Sequence, residues 1–116
     1  MGVIIDTSTL VTAERRKHNV GEIFTQLREA FGEAEAGLSA VTLVELAHGI
    51  ERAELDAHRV RRQAFLDDLI SDIEIFPVKS EIALLAGKIS GQQARHGINL
   101  PFEDLLIGAT ALHHGC

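Results

Sequence analysis

The feature that most narrows what this chain can become lies five residues from its start. Val3, Ile4 and Ile5 form an unbroken β-branched run, and Asp6, Thr7 and Ser8 follow at once. Such a run reads as a short, fully buried strand of the kind found in parallel sheets. The strand ends on an acid, and the two hydroxyl residues supply side-chain oxygens to start a helix. Open α/β sheets bind their ligands in the crevice at the carboxyl ends of the strands. Asp6 therefore stands where such a fold keeps its chemistry, and any other acid that reaches the same edge would share that place.

The strand-then-helix pattern continues. A short helix with a basic last turn covers Leu10 to Lys17. A second, amphipathic one spans residues 21–31 with Ile23, Phe24, Leu27, Ala30 and Phe31 inside, closed by Gly32. Gly37 to Val41 is a second strand candidate, ending at Thr42. Thr42 opens a helix with Leu43, Val44, Leu46, Ala47 and Ile50 on its apolar face. A long charged helix follows from about Leu55 to Ser71, burying Val60, Ala64, Phe65, Leu66, Leu69 and Ile70. Ile73 to Val78 reads as a third strand stopped by Pro77. Ser80 caps a helix with Ile82, Leu84, Leu85, Ala86 and Ile89 inside, and the last helix runs from Phe102 to about His114, ended by Gly115. Strands alternating with helices imply an α/β fold, a small parallel sheet with helices on its faces. The chain is expected to be one domain, residues 1–116. Because it stops just after a helix cap, a C-terminal segment is expected to be missing from it.

Composition excludes several classes. Hydrophobic residues make up 46% of the 116, enough for a real core, but aromatics are only 4%, with no Trp or Tyr. No apolar run approaches the roughly 18 residues of a membrane span, so no membrane partner is expected. Asp6 interrupts any signal-peptide pattern. A single cysteine, Cys116, cannot close an internal disulfide and suits a reducing cytoplasm. The net charge of −6 argues against broad attraction to nucleic acid. Acids that hold divalent ions invert that local field, so a phosphate substrate stays open.

Three acids qualify as candidates, each with a plainer alternative. Asp6 would serve as a helix cap. Glu45 completes a Thr42-x-x-Glu45 capping box. Asp104, beside Glu103, lies in the first turn of the last helix, where the dipole favours acids. Taken singly, each is explained structurally. Taken together they sit at or near helix starts, and Asp6 and Glu45 each follow a strand, on one edge of a parallel sheet. Three converging carboxylates repel one another unless a cation neutralises them. Hard oxygen donors without Cys or paired His point to Mg²⁺ or Mn²⁺ and to phosphodiester hydrolysis. Gly108, one turn after Asp104, would leave room beside that acid.

These residues carry a resemblance. Asp6-Thr7-Ser8 after an apolar strand, Leu38-Ser39-Ala40-Val41-Thr42-x-x-Glu45-Leu46, and Pro101-x-x-Asp104-Leu105-Leu106-Ile107-Gly108-Ala109-Thr110-Ala111-Leu112 resemble the PIN-domain ribonucleases. Within them the likeness is to the VapC-type toxins of bacterial toxin–antitoxin pairs. The resemblance implies a PIN-like three-layer sandwich and a Mg²⁺-dependent endoribonuclease cleaving structured RNA such as tRNA or rRNA. Its catalytic and metal-binding acids carry over onto Asp6, Glu45 and Asp104, with Ser8 supporting the acidic pocket. It also implies a cognate antitoxin and a homodimer. The family adds a strand bearing a fourth acid, which this chain lacks.

The alternative of a different class is a non-catalytic pseudo-nuclease that sequesters an antitoxin or RNA. A phosphatase or nucleotide hydrolase using Asp6 is disfavoured by the absence of a Gly-rich phosphate loop. Arg59, Arg61 and Arg62 could meet RNA phosphates, though a solvated helix face pairing with Glu51, Glu54 and Asp56 explains them more simply. Dipole complementarity accounts for Arg15, Arg16 and Lys17, and an exposed helix end for His113 and His114.

Overall fold

The computed structural model describes residues 2–32 and 35–116. Three parallel strands, β1 (Gly2–Ile4), β2 (Glu35–Ser39) and β3 (Glu74–Phe76), lie side by side in the order β1-β2-β3. Helices fill the connections: α1 (Thr7–Arg15) and α2 (Val20–Phe31) after β1, α3 (Ala40–Arg52) and α4 (Asp56–Asp72) after β2, α5 (Ser80–Ala94) and α6 (Phe102–His113) after β3. The register places Ile4 opposite Gly37, and Leu38 opposite Ile75. The predicted α/β fold is therefore the one observed.

Alternation along the strands divides the helices between two faces. Leu38, fully buried, and its partner Ile75 belong to a core shared with Leu10 and Ala13 of α1, Val20 and Ile23 of α2, and Phe65 and Leu69 of α4. Gly37 and Phe76 belong to the opposite face. There the Phe76 ring lies 4.3 Å from that of His114, at the end of α6. A Cβ at residue 37 would come within 2.3 Å of Phe76 Cε2, so glycine is required for the ring to lie across the strand. A smaller core of Ile82, Ala86 and Ala109 joins α5 to α6, and α6 also touches α3, β1 and β2. No helix among the described residues is long and apolar enough to cross a membrane.

Several local expectations are corrected. The second strand stops at Ser39, whose Oγ accepts the Val41 N–H at 3.2 Å, so Ser39 caps α3 and Thr42 lies inside it. Ser80 is the first residue of α5, not its cap, and no side chain caps that helix. Apolar periodicity over-assigned burial: Val44, Val60, Ile70, Leu84 and Phe31 are exposed. A period of 3.6 selects a broad stripe, but each helix is covered only where a neighbour packs against it.

Candidate functional site

Asp6 follows β1 directly and has extended backbone angles (φ −73°, ψ 143°). Its Oδ1 accepts the Ser8 N–H at 3.0 Å, so it does cap α1, and the carboxylate remains exposed. Capping uses one oxygen lone pair of four, which leaves most of the carboxylate's acceptor capacity free.

Glu45 lies one and a half turns into α3. With Ser39 as the cap, residue 42 occupies the third helical position and Glu45 the sixth. The capping-box explanation therefore fails, because a glutamate at the sixth position cannot reach back to the cap N–H. Its Oε1 instead accepts the Thr7 hydroxyl at 2.8 Å, across 38 residues of sequence. Thr7 Oγ1 is also 3.2 Å from the hydroxyl of Thr42, which is fully buried. A threonine hydroxyl carries one hydrogen. The shorter bond to a carboxylate claims Thr7's, so Thr42 donates to Thr7. A chain from Thr42 through Thr7 to Glu45 thus ties the carboxyl end of β1 to α3.

Sequence pattern alone does not single out Thr7 or Thr42 for the site: it marks them as helix starters, and the resemblance gives the supporting role to Ser8. The Ser8 hydroxyl makes no hydrogen bond among the described residues, and its backbone N–H is what serves Asp6. The available signal was the order Asp6-Thr7. In the first residue of a helix that follows a strand, the side chain is free to turn toward a neighbouring helix.

Asp104 is exposed in the first turn of α6, beside Glu103, with Pro101 at the cap and no capping side chain. It belongs to the helix that contacts β1, β2 and α3. Among the described residues, however, no three His, Cys, Asp or Glu side chains are gathered closely enough to hold a metal ion. The structure brings the Asp6–Thr7 junction to Glu45, and Asp104 stands on the helix that touches the same strand and helix. By donor chemistry the three acids fit a hard divalent ion, but as they stand they do not form a complete coordination cage. Gly108 does not hold space open by necessity, since a Cβ there would meet nothing within 4 Å.

Beside Glu45, α1, α3 and α4 enclose a cavity of about 150 Å³ that includes Glu14, Arg62 and Phe65. Glu14 is buried, at 7% exposure, and Arg61 Nε lies 2.7 Å from its Oε1. Arg62 Nε stands 4.0 Å from Oε2 and donates through Nη1 to the Gly49 carbonyl at 2.7 Å. Two of the three clustered arginines therefore turn inward and fasten α4 to α1 and α3. Arg59 pairs with Asp56 at 2.7 Å, as the solvated-face reading expected, and also donates to the Ala53 carbonyl. The burial of Glu14 was legible, because it falls four residues after Leu10 on the same helix face.

The PIN domain family model matches residues 3–116. The chain is 31% identical to Ribonuclease VapC1 of Rickettsia felis over 115 residues, covering 99% of this chain and 81% of the relative. It is 30% identical to Ribonuclease VapC of Rickettsia bellii over 112 residues, covering 97% and 78%. Among solved structures, the VapBC2 complex of Rickettsia felis, bound to a DNA fragment from its promoter, superposes with a TM-score of 0.82. That likeness has 20% identity and covers 100% of this chain and 84% of the other, so it speaks to fold. With a family model spanning nearly every residue and the matching three-layer fold beneath it, this chain belongs to the PIN-domain family.

Proposed function

We propose that this protein is an endoribonuclease toxin of a toxin–antitoxin pair, acting on structured RNA such as tRNA or rRNA, with Asp6, Glu45 and Asp104 as its catalytic acids. The observation that carries the reading is the Thr42–Thr7–Glu45 chain, which joins a strand-end acid segment to an acid that the capping box does not explain. Family membership and the VapC relatives support the same reading.

Asp6, Glu45 and Asp104 would hold Mg²⁺ or Mn²⁺, which when bound supplies an activated water and stabilises charge developing on the phosphate. The chain's own contribution is positional. Thr7 fixes the rotamer of Glu45, and the Ser8 N–H fixes that of Asp6. The Arg61–Glu14–Arg62 cluster holds α4 against the helices that carry them. A cognate antitoxin is the expected inhibitor, in keeping with the VapBC complexes among the structural neighbours. A homodimer and a cytoplasmic setting complete the proposal.

The open arrangement of the three acids favours one second reading, a pseudo-nuclease that binds antitoxin or RNA without cutting. A single experiment separates the two. A mixed tRNA and rRNA pool is incubated with the protein and Mg²⁺, alongside a chelator control and Asp6→Asn. Metal-dependent cleavage lost in the variant supports the nuclease. Intact RNA with undiminished RNA binding supports the pseudo-nuclease. Undiminished cleavage by Asp6→Asn refutes the site.

A further inference from the structure

A cleft of about 310 Å³ opens between α1 and α2, lined by Ser8, Thr9, Thr12, Ala13, Arg16, His18, Ile23 and Gln26. Its character departs from that of the molecule. The chain carries a net charge of −6, and each of four other clefts includes at least one carboxylate: Glu14 and Glu45 in one, Asp56 in the next, Glu74 in a third, Glu81 in the last. No acid lines this one. Its polar groups are three hydroxyls, an amide, an imidazole and a guanidinium. Among the described residues Arg16 has no carboxylate within ion-pairing distance, as is true of the arginines other than Arg59, Arg61 and Arg62, but it is the one that lines this acid-free cleft.

The lining is also ordered. Ser8, Thr12 and Arg16 are spaced four residues apart, so they form one ridge along α1. The ridge begins at the residue whose N–H holds the Asp6 carboxylate. Eight residues at a helical rise of 1.5 Å span about 12 Å. A phosphate at the Arg16 end thus lies beyond the ~8–10 Å screening length from the Asp6 charge, so that acid does not repel it strongly.

We propose that this cleft is a subsite for a flanking phosphate in a single-stranded stretch of RNA, a short way along the strand from the bond that lies at Asp6. Arg16 and His18 bind the phosphate, and the Thr12 hydroxyl and Gln26 amide hydrogen-bond to the backbone. The ridge guides the strand toward the acids. This subsite rests on the ribonuclease reading for its substrate, but its binding is measurable without cleavage.

The test is anisotropy of a fluorescein-labelled single-stranded RNA dodecamer in EDTA, across a salt series. The proteins compared are the wild type, Arg16→Ala, Arg16→Lys and Lys88→Ala, the last removing an exposed charge on α5. Arg16 caps α1 through its backbone N–H, which alanine retains. Arg16→Ala is expected to weaken binding about 5–10-fold and to lower the salt slope by about 0.7, the value for one phosphate on a single strand. Arg16→Lys is expected to restore most of the slope, and Lys88→Ala to stay within about twofold of wild type. Equal weakening by Arg16→Ala and Lys88→Ala, or no weakening by Arg16→Ala, overturns the subsite. Displacement of the RNA by an equal charge concentration of polyglutamate also overturns it, in favour of a protein-docking cleft. Arg16-dependent binding without cleavage by the wild type leaves the subsite standing and removes the nuclease reading. Cleavage with no Arg16 dependence does the reverse.

Discussion

Replacing Thr7 with valine deletes one hydroxyl while keeping the side chain's shape, and the structure allows its cost to be worked out. Two effects add. The bond to Glu45 Oε1, 2.8 Å long and to a charged acceptor, belongs to a class worth about 1.5–3 kcal/mol. Both partners are half-exposed, so about 1 kcal/mol is expected. The second effect is larger in consequence. Thr42 is fully buried, and with Thr7 gone its hydroxyl loses its partner, at a cost of about 1–3 kcal/mol. The total is about 2–4 kcal/mol. For 116 residues, an unfolding entropy near 2.1 cal/mol/K per residue turns this into a Tm drop of about 8–16 °C. Thr42→Val alone should cost only about 1 kcal/mol, because Thr7 still donates to Glu45. Thr7→Val/Thr42→Val leaves no orphaned hydroxyl, so it should be less destabilised than the two single changes summed, by about 1.5 kcal/mol. Urea unfolding of the four proteins measures that coupling. Additivity within about 0.5 kcal/mol would refute the Thr42–Thr7 link in the hydrogen-bond chain. If the enzymatic reading holds, Thr7→Val also lowers RNA cleavage about tenfold, and Thr7→Ser restores it.

Asp6→Asn separates the cap from the charge. Asparagine caps as well as aspartate, so Tm should change by less than about 2 °C while cleavage falls at least about a hundredfold; a large Tm loss would mean the carboxylate is chiefly structural. Arg61→Ala strips the nearer partner from buried Glu14. Breaking a buried pair costs about 3–5 kcal/mol, but Arg61 is 38% exposed and Arg62 remains 4.0 Å away, so about 1–2 kcal/mol is expected by urea unfolding. An unchanged midpoint would show that Arg62 alone suffices. Gly37→Ala sets a methyl 2.3 Å from the Phe76 ring, and overpacking of this kind costs about 1–3 kcal/mol. The near-ultraviolet circular dichroism of Phe76 should change with it, and a wild-type spectrum and stability would count against the contact.

The alternating strand and helix pattern, the acid at the end of β1 and the placement of acids in the first turn of α6 were legible because each depends on local chemistry. β-Branched runs, hydroxyl caps and the helix dipole act over a few residues. The parallel pairing of β1, β2 and β3 followed from the same alternation, since helical crossovers bring successive strands back in the same direction, whereas their order in the sheet came from the tertiary structure. The three motifs likewise pointed to the family that the comparisons bear out.

What required the tertiary structure was every relation between residues distant in sequence. Thr42-x-x-Glu45 has the spacing of a capping box, and only the start of α3 one turn earlier, at a cap provided by Ser39, shows that Glu45 is free of that duty. The donor that meets Glu45 is 38 residues away, and the carboxylate that turns Arg61 inward is 47 away. Spacing along one helix cannot reveal either, because the facing surface comes from another element. Burial behaved in the same way. Val44, Val60 and Leu84 repeat with helical period yet face solvent, since periodicity specifies a stripe and only a packed neighbour covers it. The acid-free cleft between α1 and α2 is a final example. Ser8, Thr12 and Arg16 are an unremarked four-residue repeat in the sequence, and they line a common surface only once Gln26 of α2 is folded alongside them.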